Sequence, residues 1–210
     1  MADILVIKHS CIRLTAADGA GRIYFDPFHV GDMPQDGDVI FVTHDHHDHF
    51  SPEDIRRVMK PGAKLVMPAS TAVLAKEAGF TDIVIAVPGE SGTVCGIPFE
   101  AVPAYNVGKA FHTQDKGWVG YVVTLDGLRY YVAGDTDENP DNRKVRCDAA
   151  LLPVGGKYTM NGPEAAAFAG RLAPQLAIPT HWGDIVGSRA DAEAFCAALP
   201  REINRKIFEM

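Results

Sequence analysis

The sequence lacks the paired cysteines that hold together small disulfide-rich or zinc-finger proteins. Only four cysteines occur in 210 residues, widely separated and none in a CxxC pair: Cys11, Cys95, Cys147 and Cys196. We therefore expect reduced thiols that pack as small hydrophobic groups rather than a disulfide framework. None is close in sequence to the histidine-rich segment discussed below, so thiolate ligation of a metal has little support.

Long apolar runs and clusters of basic residues are absent as well. The apolar stretch near the N-terminus is interrupted by Lys8 and His9, which leaves it too short for the core of a signal peptide. No segment approaches the roughly 18 apolar residues of a transmembrane helix. The formal net charge is −7, and an acidic excess without a basic tract disfavours nucleic acid as a partner. We predict a cytoplasmic protein without a membrane span.

What the sequence does contain is a succession of strand and helix patterns in two halves. The continuous apolar run at 39–42 is typical of a strand buried on both faces, and the dipeptide at 126–127 predicts a hairpin. Segments 51–54 and 188–191 have the spacing of helix capping boxes. Each half can supply one sheet covered by helices, so we predict an α/β (α+β) fold, a four-layer αββα sandwich, as a single domain over residues 1–210.

A histidine-rich segment follows the apolar run almost directly and reads His44-Asp45-His46-His47-Asp48-His49. In an extended chain, residues two apart point to the same side, so His44 and His46 can bind one metal ion together. Asp48 and His49 follow where the strand gives way to a loop, and the turning chain can direct them at a second ion. Imidazole and carboxylate together suit zinc, and also iron or manganese. A solvated histidine-rich loop is the alternative, although clustered imidazoles repel one another when protonated.

A two-metal site needs further ligands, and three later residues are candidates. Asp135 and His181 each follow a predicted strand, and His112 precedes one. The ends of strands are where α/β enzymes collect their site residues. Taken singly, Asp135 could cap a turn and either histidine could be a buried polar residue with ordinary hydrogen bonds. Together they would complete a site that otherwise lacks ligands.

These motifs, in this order, resemble those of the metallo-β-lactamase superfamily. The resemblance rests on His44-x-His46-x-Asp48-His49, a later histidine, Gly134-Asp135 and the late His181, and it covers nearly the whole chain. Within that superfamily the chain looks most similar to the branch of L-ascorbate phosphate lactonase and N-acyl-phosphatidylethanolamine phospholipase D. The shared features are an Asp-Pro strand end, here Asp26-Pro27, and a Gly-Asp-Thr segment.

The resemblance implies two divalent metal ions, with zinc expected and manganese or iron as alternatives. His44, His46 and a third histidine would hold the first ion, while Asp48, His49 and His181 would hold the second and Asp135 would bridge both. A hydroxide between the ions would attack the electrophilic carbon or phosphorus of the substrate. Asp48 and Asp135 are the residues expected to be catalytic.

One departure from the branch concerns the third histidine. The branch places it after Pro-Ala-x, where this sequence has Asn106, a poor zinc ligand. His112, six residues later, is therefore predicted to take its place, and otherwise the first ion is weakly held or the site is mononuclear. Asn106, Lys157 and Tyr158 are the predicted substrate-binding residues, with surface solvation as the alternative for the lysine.

Three functions remain open from the sequence. A hydrolase acting on a small-molecule ester, lactone or phosphodiester is favoured, ahead of a nuclease of the same fold and of a non-catalytic domain that binds a metal or a partner. A β-lactamase proper is disfavoured, because no export signal is evident and no cysteine lies near the ligand positions. The sequence is compatible with a homo-oligomer but names neither the oligomeric state nor the substrate.

Overall fold

The first half of the chain forms a six-stranded sheet. In the computed structural model, which describes residues 1–209, the strands lie side by side in sequence order. The first two pairs are antiparallel and the remaining pairs are parallel. The strands are β1 (Asp3–Lys8), β2 (Cys11–Thr15), β3 (Arg22–Phe25), β4 (Gly37–Phe41), β5 (Met59–Met67) and β6 (Ile83–Ile85).

The second half forms a seven-stranded sheet whose strands also lie side by side in sequence order, from β7 at one edge to β13 at the other. The strands from β7 to β10 pair antiparallel and those from β10 to β13 pair parallel. They are β7 (Ser91–Val94), β8 (Ile97–Pro103), β9 (Val119–Leu125), β10 (Leu128–Val132), β11 (Ala149–Pro153), β12 (Leu176–Thr180) and β13 (Asn204–Arg205).

Four helices cover the outer faces of the two sheets. The helices α1 (Pro52–Val58) and α2 (Ala69–Glu77) pack on the first sheet, and α3 (Gly162–Leu172) and α4 (Arg189–Ala198) pack on the second. The predicted caps are present at α1 and α4: Ser51 accepts a hydrogen bond from the Asp54 amide, and Ser188 and Asp191 form a capping box. None of these helices, within residues 1–209, has the length and apolarity needed to cross a membrane.

Three clusters of buried side chains separate the layers. Strand β4 shows the arrangement, because Val39 and Phe41 face the cluster between the sheets, whereas Ile40 and Val42 face the cluster under α1 and α2. Across the middle layer, the ring of Phe41 lies 4.8 Å from that of Tyr121 on the opposite sheet. The predicted four-layer αββα sandwich is confirmed, and the apolar run at 39–42 is buried on both faces as expected.

Candidate metal centre

The predicted ligands come together because they all lie in loops at one edge of the sandwich. The histidine-rich segment follows β4, Asp135 follows β10 and His181 follows β12, while His112 lies in the loop between β8 and β9. Parallel strands point their carboxyl ends at a common edge, and the two sheets bring those edges together. Seven residues separated by up to 137 positions in sequence thereby share one site.

Several residues at this edge have a left-handed backbone conformation that is uncommon outside glycine. The φ angles are 53° at His9, 44° at Asp26, 53° at His112 and 58° at His181. Such conformations cost roughly 1–3 kcal/mol each and persist only where the surrounding structure enforces them. At the end of β3 and of β12, the reversed backbone turns the side chain toward the site instead of continuing the strand.

The first group of donors consists of His44, His46, His112 and Asp135, whose ligand atoms all lie within 4.8 Å of one another. The Nε2 atom of His44 is 3.0 Å from Nδ1 of His46. Nε2 of His112 is 3.2 Å from Oδ2 of Asp135. The ring of Trp118 lies behind the two histidines of the motif, 4.7 Å and 4.8 Å from their centroids, and supports their orientation.

The second group of donors surrounds Asp48 and shares Asp135 with the first. Two overlapping sets meet the same 4.8 Å limit: His49 with Asp135 and His181, and Asp48 with His181 and His9. Oδ2 of Asp48 lies 3.5 Å from Nε2 of His49 and 3.7 Å from Nε2 of His181. Oδ2 of Asp135 lies 3.0 Å from Nε2 of His181. Asp135 therefore stands between the two groups.

The donor set fits divalent cations. Buried polar atoms are normally hydrogen-bonded, yet within residues 1–209 the side-chain atoms without such a partner include Nε2 of His49, Nε2 of His112 and Oδ1 of Asp135. Imidazole nitrogens and carboxylate oxygens are ligands that zinc, iron and manganese accept. Cations at this position would satisfy atoms that the protein alone leaves unsatisfied.

The charges of these groups are strongly coupled. Burial disfavours the charged form of Asp135, but the neighbouring His181 and His49 hold its pKa well below the ordinary value. Burial also opposes protonation of His49, but Asp135 and Asp26 hold its pKa well above the ordinary value. Burial lowers the pKa of His44 well below its ordinary value, so this imidazole is neutral at pH 7. The site thus combines carboxylates that stay ionised with an imidazole that has a lone pair to donate.

A buried carboxylate behind the site holds two of the predicted ligands in place. Oδ2 of Asp26 accepts a hydrogen bond from Nδ1 of His49 at 2.7 Å and one from the Thr43 hydroxyl at 2.8 Å, and Oδ1 accepts the Thr43 amide at 2.8 Å. That hydroxyl in turn lies 3.0 Å from Nδ1 of His44. Ligating histidines are usually oriented in this way through their second nitrogen. Asp26 was not predicted as a site residue; only its place at a strand end hinted at it.

We expect Asp26→Asn to weaken the binding of Zn²⁺ by about 10- to 100-fold. An amide offers one acceptor oxygen, and its NH₂ group facing Nδ1 of His49 would favour the tautomer that carries the proton on Nε2, the atom nearest Asp135. Asparagine tolerates the positive φ at this position, so the fold should survive. Titration calorimetry of metal-stripped protein measures the change. Asp38→Asn, which alters a carboxylate bonded to the Arg22 amide far from the site, is the control. An unchanged Kd for Asp26→Asn would contradict the positioning role.

The three predicted substrate-binding residues have different surroundings. Tyr158 lines the cleft in front of the donors. Asn106 is buried, and its amide donates to the backbone carbonyls of Phe111 and Tyr158 at 3.0 Å and 2.6 Å, so it ties together the two loops that form the cleft. Lys157 is exposed, and its Nζ lies 4.9 Å from the centroid of the Tyr158 ring. Contact of these residues with a substrate stays a prediction.

The donors form the floor of a cleft of about 310 Å³. Its rim is apolar, because Phe111 and Ile185 are each about half exposed and Phe111 packs edge-on against Tyr158 with 4.9 Å between ring centroids. Within residues 1–209, the side chains that line the cleft include no lysine and no arginine: His46, His47, Asp48, Phe111, His112, Asp135, Tyr158, His181 and Ile185.

Comparison with known proteins supports this picture. A family model described as a β-lactamase superfamily domain matches residues 3–181. The chain therefore belongs to the metallo-β-lactamase superfamily and is a metal-dependent hydrolase of that superfamily.

More particular relatives are UPF0173 metal-dependent hydrolases. One from Thermus thermophilus is 32% identical over 209 residues, which is 93% of this chain and 90% of that protein. One from Methanoculleus marisnigri is 32% identical and covers 96% and 90% of the two chains. A crystal structure from Parabacteroides distasonis, assigned as a metal-dependent hydrolase, superposes with a TM-score of 0.84 at 31% identity and covers 99% of this chain and 92% of that one.

Proposed function

We propose that the chain hydrolyses a small, uncharged ester or lactone with two divalent metal ions, zinc being the metal expected, which the donor groups at the floor of the cleft would hold. The observation that carries this proposal is the convergence of two donor groups that share Asp135. Two such ions lower the pKa of a water molecule so that it can act as a nucleophile near pH 7, and they stabilise the negative charge that develops on the attacked group.

The residues of the chain have distinct roles in this scheme. His44, His46 and His112 would hold one ion, Asp48, His49 and His181 would hold the other, and Asp135 would be shared by the two groups. Asp26 and Thr43 keep the histidines in the tautomers that present a lone pair to the ions. Tyr158 and Phe111 border the space in which the substrate lies, and they reduce the access of bulk water to it.

The cleft lining contains no lysine or arginine, so apart from the metal ions themselves it offers a charged substrate group no permanently cationic partner, and this favours a substrate that is uncharged away from the reacting bond. A phosphodiester carries a negative charge that enzymes usually bind with arginine or lysine, and the lining described above contains neither. An apolar rim instead favours an aliphatic or aromatic group on the substrate. The same lining and the net charge of −7 weigh against a nuclease.

The proposal is tested by metal analysis of the purified protein together with a substrate screen. We expect about two zinc equivalents per chain and turnover of carboxylic esters or lactones by the loaded protein. Turnover of bis(4-nitrophenyl) phosphate without turnover of any ester or lactone would contradict the substrate class. Metal binding without turnover of any of them would favour the non-catalytic alternative.

A pair of esters that share the acyl group and differ in charge provides the sharper test of the cleft. Phenyl butyrate and 4-carboxyphenyl butyrate share the acyl group, and we expect the neutral ester to have a kcat/KM at least about tenfold higher, because the cleft leaves the added carboxylate unpaired. Phe111→Lys should reduce or invert this ratio. Val73→Lys, at an exposed position on helix α2, should leave the ratio unchanged. Equal kcat/KM values for both esters in the wild type would refute the preference.

A further inference from the structure

One more histidine, outside the seven predicted ligands, joins the second donor group from near the N-terminus. His9 lies in the turn between β1 and β2 and is fully buried. We infer that His9 is an additional ligand of the second metal ion, so that three imidazoles and Asp48 hold it alongside the shared Asp135. This inference rests on the two-ion site proposed above and adds a residue that the superfamily motifs in the sequence did not indicate.

The hydrogen bond at one nitrogen of His9 defines which nitrogen faces the second donor group. Nδ1 lies 3.3 Å from the backbone carbonyl oxygen of Trp182. A carbonyl can only accept, so the proton of a neutral imidazole is on Nδ1 and the lone pair is on Nε2. In metal-binding histidines, the nitrogen that does not bind the metal commonly donates its hydrogen to a backbone carbonyl.

Nε2 of His9 is directed at the second donor group. It lies 3.5 Å from Oδ2 of Asp48, and its position relative to Asp48 and His181 satisfies the same 4.8 Å limit as the predicted ligands. In this tautomer a nitrogen lone pair faces a carboxylate oxygen. A proton or a metal cation between the two atoms relieves their repulsion, and a metal cation is what the neighbouring donors are suited to bind.

His9 shares its surroundings with residues already predicted as ligands. His9 is buried, as are His44 and His49. In all three residues Nδ1 lies against an oxygen atom of the protein, and Nε2 faces a carboxylate of the site. The ring of His9 lies 4.2 Å from that of His181, and the His9 carbonyl accepts the His181 amide at 3.0 Å. The two residues therefore form one rigid unit that joins the first turn of the chain to the loop after β12.

The experiment compares His9→Asn with wild type and with His29→Asn. Asparagine tolerates positive φ, which both positions have, and His29 is exposed with its ring on Asp184, outside the donor groups. Metal-stripped proteins are titrated with Zn²⁺ by calorimetry. We expect one of two binding events to weaken at least about tenfold in His9→Asn, the other to keep its affinity, and both to be unchanged in His29→Asn.

A crystal structure of the zinc-loaded wild type, with the ions located by anomalous scattering, decides the coordination directly. Nε2 of His9 at about 2.0–2.1 Å from an ion supports the inference. An ion farther than about 3 Å from Nε2, or two binding events that are unchanged in His9→Asn, would overturn it while leaving the hydrolase proposal intact. A wild type that binds no zinc at all would overturn both.

Discussion

Replacing Asp135 with alanine will abolish hydrolysis, with a fall in kcat/KM of at least about a thousandfold, because a bridging carboxylate contributes several kcal/mol to holding and orienting two ions. Asp135 is the residue common to both donor groups, and its two oxygens lie 3.0 Å from His181, 3.2 Å from His112 and 3.3 Å from His49. Among residues 1–209, no other side chain belongs to both the first and the second donor group. His46→Ala should have a comparable effect, because it removes one of the three imidazoles of the first group.

The fold should tolerate the loss of Asp135, since the four layers are held by apolar clusters that do not include it. Asp135→Asn keeps the shape and removes only the charge, so circular dichroism and kcat/KM of both variants separate misfolding from lost catalysis. Asp137→Asn is the matched control, because Asp137 lies two residues along the same loop and pairs with Lys109 at 2.6 Å. Full turnover of a verified ester by folded Asp135→Ala would remove the bridging role.

The part of the site that could be predicted is the part encoded by local spacing and strand ends. His44, His46, Asp48 and His49 lie within six residues after a strongly apolar strand, so their proximity follows from chain geometry alone. Asp135 and His181 could be added because parallel strands end at one edge of a sheet. The structure brings all of them together, and their role as ligands stays a prediction.

His112 was predicted from a weaker signal, and the structure places it beside the other donors. The expected position after Pro-Ala-x holds Asn106, and only the need for a third imidazole pointed to a residue in the following loop. In the structure the Asn106 amide donates to the Phe111 carbonyl, and the Asn106 backbone NH donates to the His112 carbonyl at 2.8 Å. The hydrogen bonds of Asn106 thus hold the short loop in which His112 lies. The spacing of residues in the sequence does not reveal these hydrogen bonds.

His9 and Asp26 were not predicted as site residues, because the local sequence indicates at most a strand end and not the partners that each side chain meets. Each follows a strand in a left-handed conformation that is usually attributed to glycine or asparagine, and each reaches its partners across large sequence separations. His9 meets Trp182 and Asp48, and Asp26 meets His49 and Thr43. Contacts of this kind depend on how the two sheets pack, which the hydrophobic pattern of either half does not specify.

Removal of the metal ions is expected to have the second-largest effect, this time on stability. An ion that binds only the folded chain stabilises it by about 4 kcal/mol when its free concentration is a thousand times Kd. For a chain of this length each kcal/mol corresponds to about 2–4 °C in Tm, so chelation of even one ion should lower Tm by about 8–16 °C. Scanning calorimetry with and without a chelator, followed by restoration with Zn²⁺, measures the shift.

The stabilisation of the fold by metal ions should also depend on pH. In the metal-free chain Asp135 and Asp26 raise the pKa of His49 against the effect of burial, so this imidazole holds a proton that an ion must displace. A proton bound more tightly in the folded chain stabilises it below the unfolded pKa, and that contribution is lost as pH rises through the folded pKa. Zn²⁺ competes with protons for the imidazole nitrogens, so it binds more weakly as pH falls. The Tm gain from Zn²⁺ should therefore shrink as pH falls from about 8 to about 6.

His46→Ala should lose much of the Zn²⁺-dependent gain in Tm, whereas His47→Ala should keep it. Both side chains are exposed neighbours in one motif, but His46 shares the first donor group with His44, while His47 belongs to neither group. Their difference therefore isolates coordination from any general effect of histidine content. Equal gains in the two variants, or a chelator shift below about 2 °C in the wild type, would mean that the buried imidazoles and carboxylates do not bind metal in the folded chain, and the hydrolytic mechanism would fail with them.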